Sequence, residues 1–572
     1  MTTVEWRSEV SAVTRRTDSI TPLLALGVIV LVLAGAVSVW TIAGWWSGSS
    51  SGFVNPAEAI RDGAPWTTTH TAAAVLVGAA IVAVIAMVLV VVLRRGRDRS
   101  PADGAAPKMG TGRDIAPLLP GTLRKRHNRM GIPPQFLGVT VGHTVAGRLP
   151  LRASYEDTVS VIAGPRRNKS ASIVIPNILA APGTLLATSV KPDILAETLT
   201  VRAAAGTVRL FDPQRLAGAY DDYSCWWNPL ARITSVEDCD KLAAVFTAAT
   251  YGTGADDDAF FSSTGRTLIS RYLFAASVEK LYLPAVLQWL TDETDSTPAR
   301  ILEESYPHLA DDVDAAQAVT QRTRSGVFAY AREALSFLAS ESVRCWVQPR
   351  EGRPEFDPEE FVTARADTLY LFSEEGPGSA GPLLAALTRA VLSAAENAAK
   401  REPSGRLPVP LMAILDEAGN ICRIPDLPEK YTHYGSRGII PITILQTQEQ
   451  GEQVWGQTGF GQLWASSTVR VFGGGNASNS FLRDLSELIG DYEYTERSTS
   501  THDGKRTVNT SRRSERIMDV SDLASLTLGR MVVFASGCRP ALVRSIPWWK
   551  DKALTKLNAA AISANRTGDD GT

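Results

Sequence analysis

The chain has 572 residues, 44% of them hydrophobic, and a formal net charge of -2. That length exceeds one ordinary domain, and the near-neutral charge excludes nucleic-acid binding by bulk electrostatics. Five scattered cysteines, Cys225, Cys239, Cys345, Cys422 and Cys538, lack the paired spacing of a zinc site or a disulfide framework.

The first elements in chain order are two charge-free apolar runs, residues 20–43 and 71–93. Each is long enough to cross a bilayer as a helix. Arg7, Arg15 and Arg16 precede the first run, and Arg94, Arg95, Arg97 and Arg99 follow the second; between them the only basic residue is Arg61. This asymmetry predicts a transmembrane hairpin over residues 20–93, with residues 1–19 and the bulk of the chain on the cytoplasmic side of the plasma membrane. Residues 94–135 read as a juxtamembrane linker, first rich in Pro, Gly and Ala, then basic over 124–129, a stretch suited to anionic lipid.

Residues 158–179, TVSVIAGPRRNKSASIVIPNIL, pass from a β-branched strand through a Gly-Pro turn to Lys169-Ser170 and a helix start. That is the order of a phosphate-binding loop. Backbone N–H groups around Gly164 and Asn168 would cradle the phosphates of ATP, Lys169 would reach them, and the Ser170 hydroxyl would bind Mg²⁺. Against the pattern G-x-x-x-x-G-K-[ST], Ala163 and Asn168 replace both glycines. Asn168 is predicted to take the left-handed conformation that its glycine counterpart would adopt. By itself this stretch is weak evidence, and the plainer reading is a surface turn with a lysine.

Residues 410–420, PLMAILDEAGN, read as a buried strand ending in Asp416-Glu417. Phosphate-bond chemistry needs an acid there to hold the Mg²⁺ shell and a neighbour to polarise water, roles that suit Asp416 and Glu417 respectively. The plain alternative is a strand followed by an acidic helix cap. A further strand over 439–445 ends in Gln446, placed to sense a terminal phosphate or orient water. Just before that strand lies Arg437, predicted to sit near the nucleotide edge and to reach a neighbouring subunit's nucleotide as an arginine finger; an ordinary loop arginine is the alternative.

Other strands are readable at 183–188, 208–211, 368–372, 468–472 and 530–534, alternating with helical patterns such as 381–399. The pattern predicts an α/β fold with a mainly parallel sheet and its ligand site at the strand carboxyl ends. Strand signals vanish over 235–349, which reads as an all-α insertion. Residues 491–516 are polar and read as an exposed hairpin or loop, and the tail after Asn558 as frayed.

The two N-terminal runs, VIAGPRRNKSASIVIPNIL, TSVKPDIL, RLFDP, the helical stretch, DTLYLF, ILDEAGNI and ILQTQEQ occur in the order found in the type IV coupling proteins, and the chain resembles that TraG/TraD class of conjugative DNA-transfer ATPases in an actinobacterial form. The resemblance implies a RecA-like P-loop NTPase domain over 136–234 and 350–550, the all-α insertion at 235–349 and a C-terminal tail at 551–572. It implies a homo-hexameric ring that recruits a relaxase with single-stranded DNA and passes it to the proteins of a type IV secretion channel, using ATP. It matches Lys169 and Ser170 to the Walker A motif, Asp416 and Glu417 to Walker B, Gln446 to the glutamine of the next strand, and Lys191 and Asp193 to a motif after the second strand, where a plain strand-end turn is an equal alternative. Two competing readings are a membrane substrate receptor with a weak or inactive nucleotide site, which Ala163 and Asn168 favour, and an FtsK-like DNA or protein export ATPase.

Overall fold

The computed structural model describes residues 34, 35, 37–48, 55–63, 65–97, 100–252, 259–376, 378–475, 477–502 and 505–569. They fall into two compact units, Met1–Ser100 and Pro101–Thr572. In the first, Thr68–Arg97 is one 30-residue helix. Ala43 and Ala73 are buried together, and Trp40 packs edge-on against Trp66 and His70. The expected span at 71–93 falls on this helix, but most of its side chains beyond Met87 lie outside the described residues, as does most of the expected span at 20–43. Among the described residues, no helix is long and apolar enough to cross a membrane.

The second unit is built on a sheet of eleven strands. In chain order the strands are β1 (Val139–Thr144), β2 (Pro150–Ala153), β3 (Val159–Ile162), β4 (Leu185–Ser189), β5 (Val208–Phe211), β6 (Thr368–Phe372), β7 (Leu411–Leu415), β8 (Ile439–Leu445), β9 (Val469–Phe472), β10 (Asp491–His502), β11 (Lys505–Arg516), β12 (Arg530–Ala535) and β13 (Ala541–Arg544). Strands β10 and β11 stand apart as a two-stranded antiparallel hairpin. The other eleven order as β2-β1-β13-β12-β9-β3-β8-β7-β4-β6-β5. From β9 to β5 every neighbouring pair is parallel; β12, β13, β1 and β2 extend the sheet antiparallel. The α/β expectation with a mainly parallel sheet is therefore met.

The parallel strands carry side chains on two buried faces, so they read as continuous apolar runs. In β7, Leu411, Ala413 and Leu415 enter one core, while Met412 and Ile414 enter the other. Between β5 and β6 the described residues form helices, including Val236–Tyr251, Ala259–Val278 and Gln321–Ala334. Their apolar faces share a core with the sheet: Tyr272 and Phe328 join the same buried cluster as Leu369 and Leu415.

Two expectations need correction. Beyond Pro101 the supposed linker is folded into the second unit. Met109, Ile115 and Leu118 are buried, Asp103 holds Arg530 through two contacts of 2.6 and 2.8 Å, and the Gly110 N–H donates to the Pro540 carbonyl at 2.8 Å. Its glycine serves close approach, since a Cβ on Gly110 would lie 2.5 Å from the Arg539 carbonyl oxygen. Part of its basic stretch is structural too, with Arg126 on Glu156 at 2.7 Å and His127 buried against the Tyr155 ring. The described part of the tail, through Asp569, is helical: Asp551 accepts from the Ala553 N–H and opens the helix Lys552–Asp569, which packs on the helix Asp193–Ala205.

Candidate functional site

Register brings the motifs together. Ile162 of β3 pairs with Leu445 of β8 and with Phe472 of β9, and Leu415 of β7 pairs with Thr443 of β8. Residues just past these ends, Ala163, Asp416, Glu417 and Gln446, therefore emerge at the same carboxyl edge, where open parallel sheets place their ligands.

The turn after β3 bends through left-handed backbone at Arg166 (φ 58°) and at Asn168 (φ 59°). The second is the conformation expected of Asn168. A five-residue π-helical turn, Ser170–Val174, follows, then the helix Ile175–Leu179. The turn is moulded against the glycines after β9. Gly164 N–H donates to the Gly474 carbonyl at 2.9 Å, a Cβ on Gly473 would lie 2.7 Å from the Ala163 Cβ, and one on Gly475 would lie 2.7 Å from the Gly164 Cα. Arg167 ties the turn outward by donating to the Leu526 carbonyl at 2.6 Å.

Lys169 folds back on its own loop, its Nζ donating to the carbonyls of Ala163 at 3.0 Å and Gly164 at 3.4 Å, with Glu417 Oε1 3.7 Å away. Glu417 is itself left-handed, with φ 54°, a conformation that stores strain in a non-glycine residue. Its second oxygen accepts from Gln446 Nε2 at 2.7 Å. Glu417 thus bridges the lysine and the glutamine. Asp416 is buried beside it, and burial first, then the Glu417 charge, push its carboxyl up to about 7, with Lys169 opposing.

A chain of amides backs the pair. Gln446 N–H donates to Gln450 Oε1 at 2.9 Å, the Gln450 amide reaches Asn420, and Asn420 Nδ2 donates to Glu375 Oε1 at 2.7 Å. Gly419 makes room for this chain, since a Cβ there would meet Gln450 Cγ at 2.4 Å.

These groups line one cleft of about 560 Å³, which holds Asn168, Lys169, Ser170, Asp416, Glu417 and Gln446 together with Lys191 and Asp193. Arg437 is not among them. It precedes β8 and so lies at the opposite edge of the sheet, one seven-residue strand, roughly 23 Å, away. Its guanidinium pairs with buried Glu396, which Lys430 also holds at 2.8 Å. The expectation that Arg437 sits near the nucleotide edge of its own chain is not met. The sequence reading also missed Arg166, Glu375, Trp548 and Trp549, all of which line the cleft. Only the Trp-Trp doublet gave a visible signal. A second hollow of about 500 Å³, between the helices Val236–Tyr251 and Gly381–Arg401, lacks strand ends, and three of the acids that line it, Asp238, Glu396 and Asp426, are paired with basic neighbours.

The residues in the cleft fit a magnesium nucleotide. An ammonium faces a left-handed loop at a helix start, and a hydroxyl and a buried carboxylate stand close by. Among the described residues no cluster of three His, Cys, Asp or Glu side chains would hold a metal unaided. Mg²⁺ in such sites takes one or two protein oxygens and completes its shell with phosphates and water.

A parallel sheet with this loop after its central strand and an acid pair two strands away is the fold of a P-loop NTPase. Residues 410–527 match the family described as the TraM recognition site of TraD and TraG. Among solved structures, the chain is similar to the bacterial conjugative coupling protein TrwBdeltaN70 in its unbound form, with 18% identity and a TM-score of 0.53 over 75% of this chain and 92% of that one. It is also similar to the plasmid coupling protein TrwB in complex with the GTP analogue GDPNP, at 18% identity and a TM-score of 0.51 over 75% and 92% of the two chains. The complex of TrwB with ADP and Mg²⁺ matches at 16% identity and a TM-score of 0.51 over 75% and 93%. None of the curated proteins matches the chain in sequence. The chain thus carries the TraG/TraD segment on the fold of a conjugative coupling protein, and it is related in this way to the type IV coupling proteins.

Proposed function

We propose that the chain is a membrane-anchored, ATP-dependent coupling protein that recruits a relaxase bound to single-stranded DNA and drives it into a type IV secretion channel. The observation that carries this reading is the convergence of Lys169, Ser170, Asp416, Glu417 and Gln446 in one cleft of a chain that bears the TraG/TraD segment. That TrwB forms complexes with a GTP analogue and with ADP and Mg²⁺ supports a magnesium nucleotide as the ligand of this chain.

In this reading the N–H groups of the turn from Gly164 to Asn168 cradle the phosphates, and Lys169 leaves its loop carbonyls to reach them. Ser170 and Asp416 would hold Mg²⁺, which would neutralise charge on the phosphates. Glu417 takes the proton of the attacking water, and Gln446 holds the Glu417 carboxylate in place. The finer organisation is part of the proposal: two spans at 20–43 and 71–93 anchored in plasma-membrane lipid, a RecA-like domain with a helical insertion over 235–349, and a homo-hexameric ring. Within such a ring Arg437 would act on a neighbouring subunit.

ATP turnover by the full chain, with and without single-stranded DNA, tests the motor. Turnover that rises with DNA and disappears in Glu417→Gln is the expected result. Tight Mg-ATP binding without turnover would install the second reading, a substrate receptor, which Ala163 and Asn168 in the loop favour.

A further inference from the structure

After β13 the chain reads IPWWK over 546–550. Pro547 leads into a single 3₁₀ turn, Trp548–Lys550. Trp548 packs against the buried face of the sheet, and Trp549 stands 54% exposed, its ring centroid 6.3 Å from that of Trp548 at an interplanar angle of 81°. The helix Lys552–Asp569 follows at once and packs on the helix Asp193–Ala205, whose first residue also lines the cleft. The pair is therefore fixed to a wall of the cleft by packed elements on both sides. Both tryptophans line the cavity that contains Lys169, Ser170 and Asp416. One cleft thus offers a cationic, hydroxyl-bearing and acidic set of groups together with a large flat apolar ring held in water. Those are the two halves of a nucleotide's chemistry, a charged polyphosphate and a planar base.

We infer that Trp549, backed by Trp548, is the stacking platform for the base of the bound nucleotide. The inference rests on the nucleotide reading above and adds to it a second subsite, independent of the phosphate groups. Stacking on an aromatic ring strengthens binding by roughly 5- to 150-fold per base. Because Trp549 is exposed, its removal opens no cavity, and the fold should be unaffected.

Calorimetric titration of the full chain with Mg-ATP and with Mg-tripolyphosphate, which has no base, tests this. Wild type should bind ATP the more tightly. Trp549→Ala should lose roughly 5- to 150-fold on ATP and nothing on tripolyphosphate, and Trp549→Phe should recover most of the loss. Unchanged ATP affinity in Trp549→Ala, or equal losses on both ligands, would overturn the platform while leaving the phosphate site standing. A wild-type chain that binds neither ligand would overturn the nucleotide reading itself.

Discussion

Asn168→Gly restores the second glycine of the phosphate loop, and the structure sets its expected size. A left-handed L-residue costs about 1–2 kcal/mol, with asparagine at the low end. Glycine relieves that strain but loses about 0.5–1 kcal/mol of stability through the freedom it gives the unfolded chain. The two nearly cancel, so folding stability should change by less than about 1 kcal/mol. Affinity follows a separate argument. Asn168 takes φ 59° in a loop that Gly164 and Arg167 pin to the Gly474 and Leu526 carbonyls, so its backbone strain belongs to the fold, is shared by free and bound forms, and drops out of binding. Only side-chain crowding near the phosphates remains, and Asn168→Gly should tighten Mg-ATP by less than about fivefold. Calorimetry with Mg-ATP and a thermal melt measure both quantities. A gain of 30-fold or more would refute the reasoning, because it would mean that the loop must reshape around Asn168 to accept nucleotide. Lys169→Ala, in the same titration, should abolish binding.

Glu417→Gln should keep Mg-ATP binding while turnover falls by about 10²- to 10⁴-fold, read as phosphate release, and a variant that still turns over would move the base elsewhere. Arg437→Ala removes one of two cations on buried Glu396, so a loss of ~2 kcal/mol in a denaturant melt is expected, less than a fully orphaned charge would give because Lys430 remains. Mixing Arg437→Ala with Glu417→Gln subunits should restore some turnover if the arginine serves a neighbour's site, and no recovery at any ratio would reduce it to the ion pair. A cysteine at Ser50 should react with an impermeant thiol reagent in whole cells, and protection there would reverse the proposed topology.

What the sequence made legible follows from burial. Strands β7 and β8 are enclosed on both faces, so their apolar runs stand out and end on Asp416 and Gln446. The edge strand β2 and its neighbour β1 carry polar residues, and Gly142 lies at a register shift between them, so VTVGHT and PLRA gave no alternation to read. Composition misled at residues 101–118, where Pro, Gly and Ala suggested a linker while Met109, Ile115 and Leu118 supplied the burial. Lys169, Asp416, Glu417 and Gln446 were legible because each directly follows its strand or turn. Glu375, Trp548 and Trp549 come from distant segments, and only the topology delivers them to the cleft. Arg437 was misplaced by nearness in sequence: it precedes β8, and a strand's two ends face opposite edges of the sheet.

The contact between Ala163 and Gly473 shows where the lost loop glycine has gone. With 2.7 Å between the Ala163 methyl and the position of a Cβ on Gly473, only one of the two residues has room for a side chain. The demand for a bare backbone belongs to the pair and not to either strand, so the chain keeps a methyl on the loop by stripping one from the strand beside it. Gly473→Ala would then push on the loop from behind, and Ala163→Gly in the same chain would take up the displacement. Smallness at this junction is a shared property of two segments more than 300 positions apart, and a search for loop glycines along a single stretch of sequence looks for it in the wrong place.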